Sequence, residues 1–297
     1  MVKVLDQSTG KEFYLDGILQ QNLDSIKPKV KENWDMVFVV SGIEGGGKST
    51  LGFQLARYLA QKRFTLDHVC FSPEDFMKKI TKKDFLKQGD CLLLDEGFLI
   101  NSRASMTKLN RMFLSVMAEC RQKNLFLIIV CPNFFDLDKN LALWRSRGMF
   151  YIYHDKLNRG YFKYYGYESK KKLYVKGKKF YSYSAQKPDF FGRFTKYMPL
   201  DEKGYVKYKL RAFENRDRTQ QEDRSLTQRN ICFMKLHDLG MSYQNISDYL
   251  KTFGESITMQ GISKACASTL NRQPTINKLN PQRDMDNDGS ELEETEE

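Results

Sequence analysis

The sequence predicts an α/β protein: a parallel sheet with crossover helices, a basic β-rich extension beyond it, and a small helical unit towards the C-terminus. Three observations carry this. Across residues 36–154 short apolar runs alternate with amphipathic stretches, a glycine-rich loop joins the first run to the first helix, and from residue 156 the composition shifts to lysine and aromatic residues.

Residues 1–35 form a lead-in, a strand-like stretch followed by Leu19, Leu23, Ile26 and Val30 at helical spacing, interrupted near Pro28. The core occupies 36–155. Strands are expected at 36–41, 67–71, 90–94, 125–131 and 149–154, with helices at about 48–62, from Ser72 and Pro73 onward, at 108–123 and at 136–145. The helix at 108–123 has the clearest pattern, because Leu109, Met112, Phe113, Val116, Met117 and Cys120 recur as one buried face.

Residues 156–213 read as a hairpin-rich extension with turn candidates at Lys176 and Gly177 and at 201–204; between 156 and 218 there are 18 Lys or Arg, 6 Asp or Glu and 16 aromatic residues. The stretch ENRDRTQQEDR has no apolar residue, which makes 214–225 a linker or an exposed helix. Within 226–270, Leu226, Cys232, Phe233, Leu236 and Leu239 suit one helix, Ser242 caps a second with Ile246 and Leu250, and Thr258 opens a third with Ile262 and Cys266. Residues 271–297 are expected to be a disordered acidic tail.

The chain has 297 residues, 41% of them hydrophobic and 29% charged, which is a soluble globular composition. Its longest apolar run, 125–131, is far short of the ~20 residues of a membrane span, and the first residues turn polar before a signal-peptide core can form. The six cysteines include no CxxC pair and read as buried thiols of a reducing, cytoplasmic compartment. His68, His154 and His237 have no second ligand at metal spacing and read as structural.

The formal charge of +11 hides an asymmetry. Residues 284–297 hold eight acids and no base, so the remaining body sets 48 basic against 29 acidic residues, or +19. A body this basic points to a polyanionic partner, nucleic acid being the commonest, with a solvated lysine surface as the plainer alternative. The tail is a candidate contact for a protein partner.

Residues 42–49, GIEGGGKS, match GxxxxGK[ST] between an apolar strand and the helix of Leu51, Leu55 and Leu59. This is a P-loop NTPase signature. Gly42, Gly45, Gly46 and Gly47 let successive backbone N–H groups turn inward on phosphate oxygens; Lys48 reaches the β and γ phosphates, Ser49 supplies an oxygen to Mg²⁺, and Thr50 is a further nucleotide-binding candidate. The apolar strand ending in Asp95 and Glu96, 47 residues after Lys48, would place both carboxylates at the same sheet edge. Asp95 would hold Mg²⁺ through water and Glu96 would polarise the attacking water, which makes ATP hydrolysis the expected chemistry. The strand at 125–130 ends in Cys131, Pro132 and Asn133, and Asn133 is a candidate sensor of the γ-phosphate or lytic water.

A strand between the two nucleotide motifs is typical of ASCE-type P-loop ATPases. Arg103, Met106 and Asn110 after Glu96, then Arg121, Lys123 and Asn124 before the next strand, resemble the pattern of zonular-occludens-toxin-like and FtsK/HerA-like ATPases over about two fifths of the chain. The glutamine common after that strand in FtsK/HerA relatives is replaced here by Asn133. The resemblance implies a DNA-packaging or DNA-transfer motor from a phage or mobile element, working as a homo-oligomeric ring in which a neighbour's arginine completes hydrolysis. Arg121 is the favoured arginine; Arg103, Arg145 and Arg147 are alternatives.

The segment from Lys170 to Tyr183 mixes cations with rings and could equally be nucleic-acid-facing or one packed hairpin face. The helical triplet resembles a helix-turn-helix domain with Gln260, Ser263 and Lys264 on the recognition helix, or serves assembly. Two rival functions are a nucleoside or nucleotide kinase, with Arg145 and Arg147 as lid arginines, and a nucleotide-gated DNA-binding regulator.

Overall fold

Every residue of β3 (Met36–Gly42) is buried, because this strand lies in the middle of a sheet covered on both faces. The structure, a computed structural model, describes residues 2–95, 115, 120–156 and 158–270. A small antiparallel pair, β1 (Val2–Leu5) and β2 (Glu12–Leu15), precedes α1 (Gly17–Lys31), which Asp16 caps through the N–H groups of Ile18 and Leu19. Contrary to the expected interruption, α1 runs through Pro28 and ends one turn later, with Glu32 donating to the Pro28 carbonyl.

The seven-stranded sheet has the order β4-β5-β6-β3-β7-β8-β9. Its parallel part comprises β4 (Val69–Cys70), β5 (Cys91–Leu94), β6 (Phe126–Val130), β3 and β7 (Gly148–Asp155). Side chains alternate strictly between faces. Phe38, Val40, Cys91, Leu93, Phe126 and Ile128 pack with Leu51 and Leu55 of α2 (Lys48–Ala60) and Leu19 and Leu23 of α1. Val37, Val39, Leu92, Leu94, Leu127 and Ile129 pack on the other face with Phe76 and Ile80 of α3 (Pro73–Thr81), whose cap is Ser72.

Several elements differ from the sequence reading. The expected helix at 136–145 is a 3-10 turn, Phe134–Asp136, and a single π-helical turn, Leu141–Arg145. Beyond β7, the sheet continues antiparallel through β8 (Asn158–Tyr165) and β9 (Phe190–Arg193), so the extension supplies strands to the core sheet. The lysine-rich stretch is helical, α4 (Tyr167–Gly177), where a hairpin was expected. Ser169, Lys170, Leu173, Tyr174 and Gly177 are its buried face, a 3.6-residue rhythm hidden by interleaved lysines, which are themselves good helix formers. The expected turn at 201–204 starts a helix instead: Asp201 accepts from the N–H groups of Lys203 and Gly204, capping α5 (Glu202–Asp238). Most of the expected helix at 108–123 lies outside the described residues, which resume in a 3-10 turn, Cys120–Lys123.

The chain divides into two compact units, residues 1–212 and 213–297. In the second, Phe233 of α5, Ile246 of α6 (Tyr243–Thr252) and Ile262 and Cys266 of α7 (Met259–Leu270) form a small core, partly covered by Leu236 and Leu250. Ser242 caps α6 through Asn245 N–H, and Thr258 Oγ1 accepts from Gly261 N–H at the start of α7. Cys232, Leu226 and Leu239, expected inside, are exposed. Gln260 and Lys264 are exposed, and Ser263 is half-buried. The acidic tail lies outside the described residues. Among the described residues no helix is long and apolar enough to cross a membrane.

Candidate nucleotide-binding site

The loop after β3 is shaped by close approach to β7. Gly42 sits at φ +139°, and a Cβ there would lie 2.1 Å from the Ile152 carbonyl oxygen, so no side chain fits. Gly47, at φ +95°, turns the chain into α2 with the ring of Phe194 packed against it. The loop therefore opens directly onto the N-terminus of α2, where unpaired N–H groups favour phosphate.

Lys48 Nζ donates to the carbonyls of Gly42 and Ile43, at 3.0 and 2.9 Å, which holds the ammonium over the loop. Burial, the largest influence, pulls its pKa down, against the opposing pull of the Cys131 thiol, Glu44 and Asp95. Ser49 Oγ donates to Asp95 Oδ1 at 2.9 Å. Asp95 follows β5, its N–H bonded to the Cys70 carbonyl, and it is 1% exposed. Ser49 follows the loop after β3 and Asp95 follows β5, two strands separated by β6 whose parallel run brings their ends to one edge. A hydroxyl and a carboxylate in contact are hard oxygen donors, the set that suits Mg²⁺ with water completing the shell.

A cleft of about 650 Å³ opens here, within the range of small-ligand sites. Glu44, Gly45, Gly47, Lys48, Ser49 and Thr50 line it together with Asp95 after β5 and Cys131 and Pro132 after β6, where Gly42 N–H donates to the Pro132 carbonyl. Burial pushes the Cys131 thiol up to about 12, so it is a packing group and no nucleophile.

Three lining residues had no place in the sequence reading. Tyr205 hydroxyl donates to Asp95 Oδ2, and Lys209 Nζ stands 4.0 Å from the same oxygen; both come from the first turns of α5, one turn apart on one face. Arg159, the second residue of β8, reaches the cleft beside Gly45. Recognising Asp201 as a helix cap would have put Tyr205 and Lys209 at i, i+4; nothing in the sequence points to Arg159.

Asn133 is placed just beyond the cleft-lining Pro132. Its Oδ1 accepts from Phe135 N–H and from the Tyr183 hydroxyl at 3.3 and 3.0 Å, and its Nδ2 donates to Asp136 at 3.0 Å. The carboxamide therefore orders the turn after β6. Arg145 pairs with Asp35, and the Arg147 guanidinium lies over the rings of Trp34 and Tyr167. Both arginines precede β7, at the edge opposite the loop, so within this chain they cannot act as lid groups. Arg121 lies in the 3-10 turn before β6, at that same far edge, with its side chain outside the described residues. Glu96, Arg103, Met106 and Asn110 also lie outside them.

Cys70, Cys91, Cys131 and Cys266 are buried free thiols. Among the described residues no cluster of His, Cys, Asp or Glu could hold a metal; His68 stacks on Phe85 and His237 on Tyr243.

No family profile and no curated protein matches the chain. Among solved structures it is similar to the N-terminal domain of zonular occludens toxin from Neisseria meningitidis, at 17% identity and a TM-score of 0.38 over 58% of this chain and 98% of that one. It is also similar to the genome packaging NTPase of Sulfolobus turreted icosahedral virus 2 in complex with ATP-gammaS, at 14% identity and a TM-score of 0.33, over 46% of this chain and 94% of that one. The same NTPase with AMPPCP gives 15% and 0.34.

Proposed function

We propose that this chain is an ATP-hydrolysing nucleic-acid motor, a DNA translocase or packaging ATPase of a phage or mobile element that works as a homo-oligomeric ring. The observation that carries the hydrolytic part is the Ser49–Asp95 contact across an inserted strand, at the mouth of a glycine loop with Lys48 above it. Ser49 and Asp95 would hold Mg²⁺, which would supply neutralising charge to the triphosphate. The loop N–H groups and Lys48 bind and orient the triphosphate, Arg159 and Lys209 add positive charge at the rim, and Glu96, next after Asp95, takes the proton of the attacking water. Arg121 of a neighbouring subunit completes the charge stabilisation. The choice of DNA rests on the body's charge of +19, with the recognition-helix residues Gln260 and Lys264 as further contacts. The buried thiols fit a reducing compartment such as the cytoplasm.

The test is an ATPase assay with and without double-stranded and single-stranded DNA. Stimulation by DNA is expected. Lys48→Ala should abolish nucleotide binding, whereas Glu96→Gln should bind normally and hydrolyse at least ~100-fold more slowly. Normal turnover by the glutamine variant would remove Glu96 from the mechanism, and a phosphorylated acceptor in place of free phosphate would make the enzyme a kinase.

A further inference from the structure

At the sheet edge opposite the nucleotide loop, both tryptophans of the chain lie in the open, Trp34 42% and Trp144 59% exposed. Trp34 precedes β3 and Trp144 sits in the π-helical turn, yet α4 joins them into one surface. The Arg147 guanidinium lies 5.0 Å from the Trp34 ring centre and 5.4 Å from that of Tyr167; the Lys171 ammonium lies 3.8 Å from Tyr167 and 4.5 Å from Trp144. Ring and cation thus alternate through five side chains. Of the acids nearby, Asp35 is buried against Arg145 and Glu168 stands 3.5 Å from Lys171, so the surface keeps a positive excess with Lys172 exposed beside it.

Each cation lies over an indole that stays partly open to solvent. An open ring beside a cation offers a stacking platform next to a phosphate partner, and only unpaired bases can use it, because a duplex buries its base faces. We propose that the ladder Trp34, Arg147, Tyr167, Lys171, Trp144 is a single-stranded nucleic-acid site, in which bases stack on the two indoles and Arg147 and Lys171 meet the phosphates. The site rests on the reading of nucleic acid as this protein's substrate and adds its form and location.

The two tryptophans make the test direct. Titration of the full chain with a thymidine oligonucleotide at low salt should quench tryptophan emission saturably, with a duplex of equal phosphate content competing poorly. Trp34→Leu and Trp144→Leu should each weaken binding about tenfold, the remaining indole reporting it, while Trp144→Phe keeps a stacking ring and most of the affinity. Lys171→Gln should lower the slope of log affinity against log salt by about one. Absence of quenching, or affinities unchanged by both leucine variants, overturns the site. Emission that follows protein concentration and ignores the oligonucleotide overturns it too, in favour of a subunit contact. ATPase stimulation is read in the same samples: stimulation without quenching moves the nucleic acid elsewhere and leaves the motor, whereas the loss of both removes the motor reading as well.

Discussion

Lys170 is fully buried in α4, where its ammonium donates to the carbonyls of Ala142 and Leu143 and so satisfies backbone groups of the π-helical turn. Burial, helped by Lys171 and Arg147, pulls its pKa down to about 7. Between that value and the ordinary 10.5 the unfolded chain binds a proton that the folded chain does not, so stability should rise with pH from about 7 upward. Cys70, Cys91, Cys131 and Cys266, their thiols pushed up from 9.0 by burial, work in the opposite direction as pH approaches 9, and Tyr164 and Tyr165, pushed up to about 12 by burial, do so above pH 10. Melting temperatures between pH 7 and 8, below the range where thiols ionise, should therefore climb more steeply in the native chain than in Lys170→Met, in which Lys48, its pKa also lowered by burial, leaves a residual climb; an equal climb in both would reassign the effect. Arg159 is a second informative residue. As a rim cation it should contribute to binding of ground state and transition state alike, so Arg159→Ala should raise KM for ATP about tenfold with kcat nearly unchanged. A fall in kcat alone would make it a catalytic cation acting within its own subunit.

At the scale of elements, β6 sets the geometry of the candidate site twice. Its insertion between β3 and β5 spaces Ser49 and Asp95 so that they meet, and its five residues, at ~3.3 Å each, set Cys120–Lys123 roughly 16 Å from the edge that holds the loop. In the proposed ring, a residue of that turn would therefore serve a neighbour's site and not its own. Arg121→Ala should bind ATP with nearly normal affinity and hydrolyse it ~10³-fold or more slowly. Mixed with Glu96→Gln it should recover activity that neither variant has alone, since some boundaries then pair an intact Glu96 site with an intact Arg121 donor. Labelled subunits must first be shown to exchange. No recovery in demonstrably mixed assemblies would take the role away from Arg121.

For the whole molecule, charge is the dominant property. A body of +19 carries a tethered run of eight acids, and the two should compete with DNA phosphates for one another. DNA affinity should fall steeply with salt, and removal of residues 284–297 should strengthen nonspecific binding at low salt; no change would assign the tail to a protein partner. A chain ending near Glu214 keeps the first compact unit, including Tyr205 and Lys209, and should retain ATP binding while losing part of its DNA affinity. Unchanged affinity would make the helical unit an assembly module.

The glycine loop, the strand before it and the acidic strand end were legible in the sequence because each is a local arrangement: apolar runs buried on both faces, and a turn that only glycine can make. The helical triplet was legible for the same reason, through Ser242, Thr258 and the spacing of Ile246 and Ile262. Interleaved lysines concealed the period of α4, and Asp201 suits a turn and a helix cap equally well, so local chemistry left both undecided. Only the tertiary structure brought Tyr205 and Lys209 to Asp95, Arg159 to the loop, and Trp34 to within one surface of Trp144. Residues this far apart in the chain meet because strand order and helix crossover join them, and these depend on the packing of the whole sheet, which no window of sequence contains.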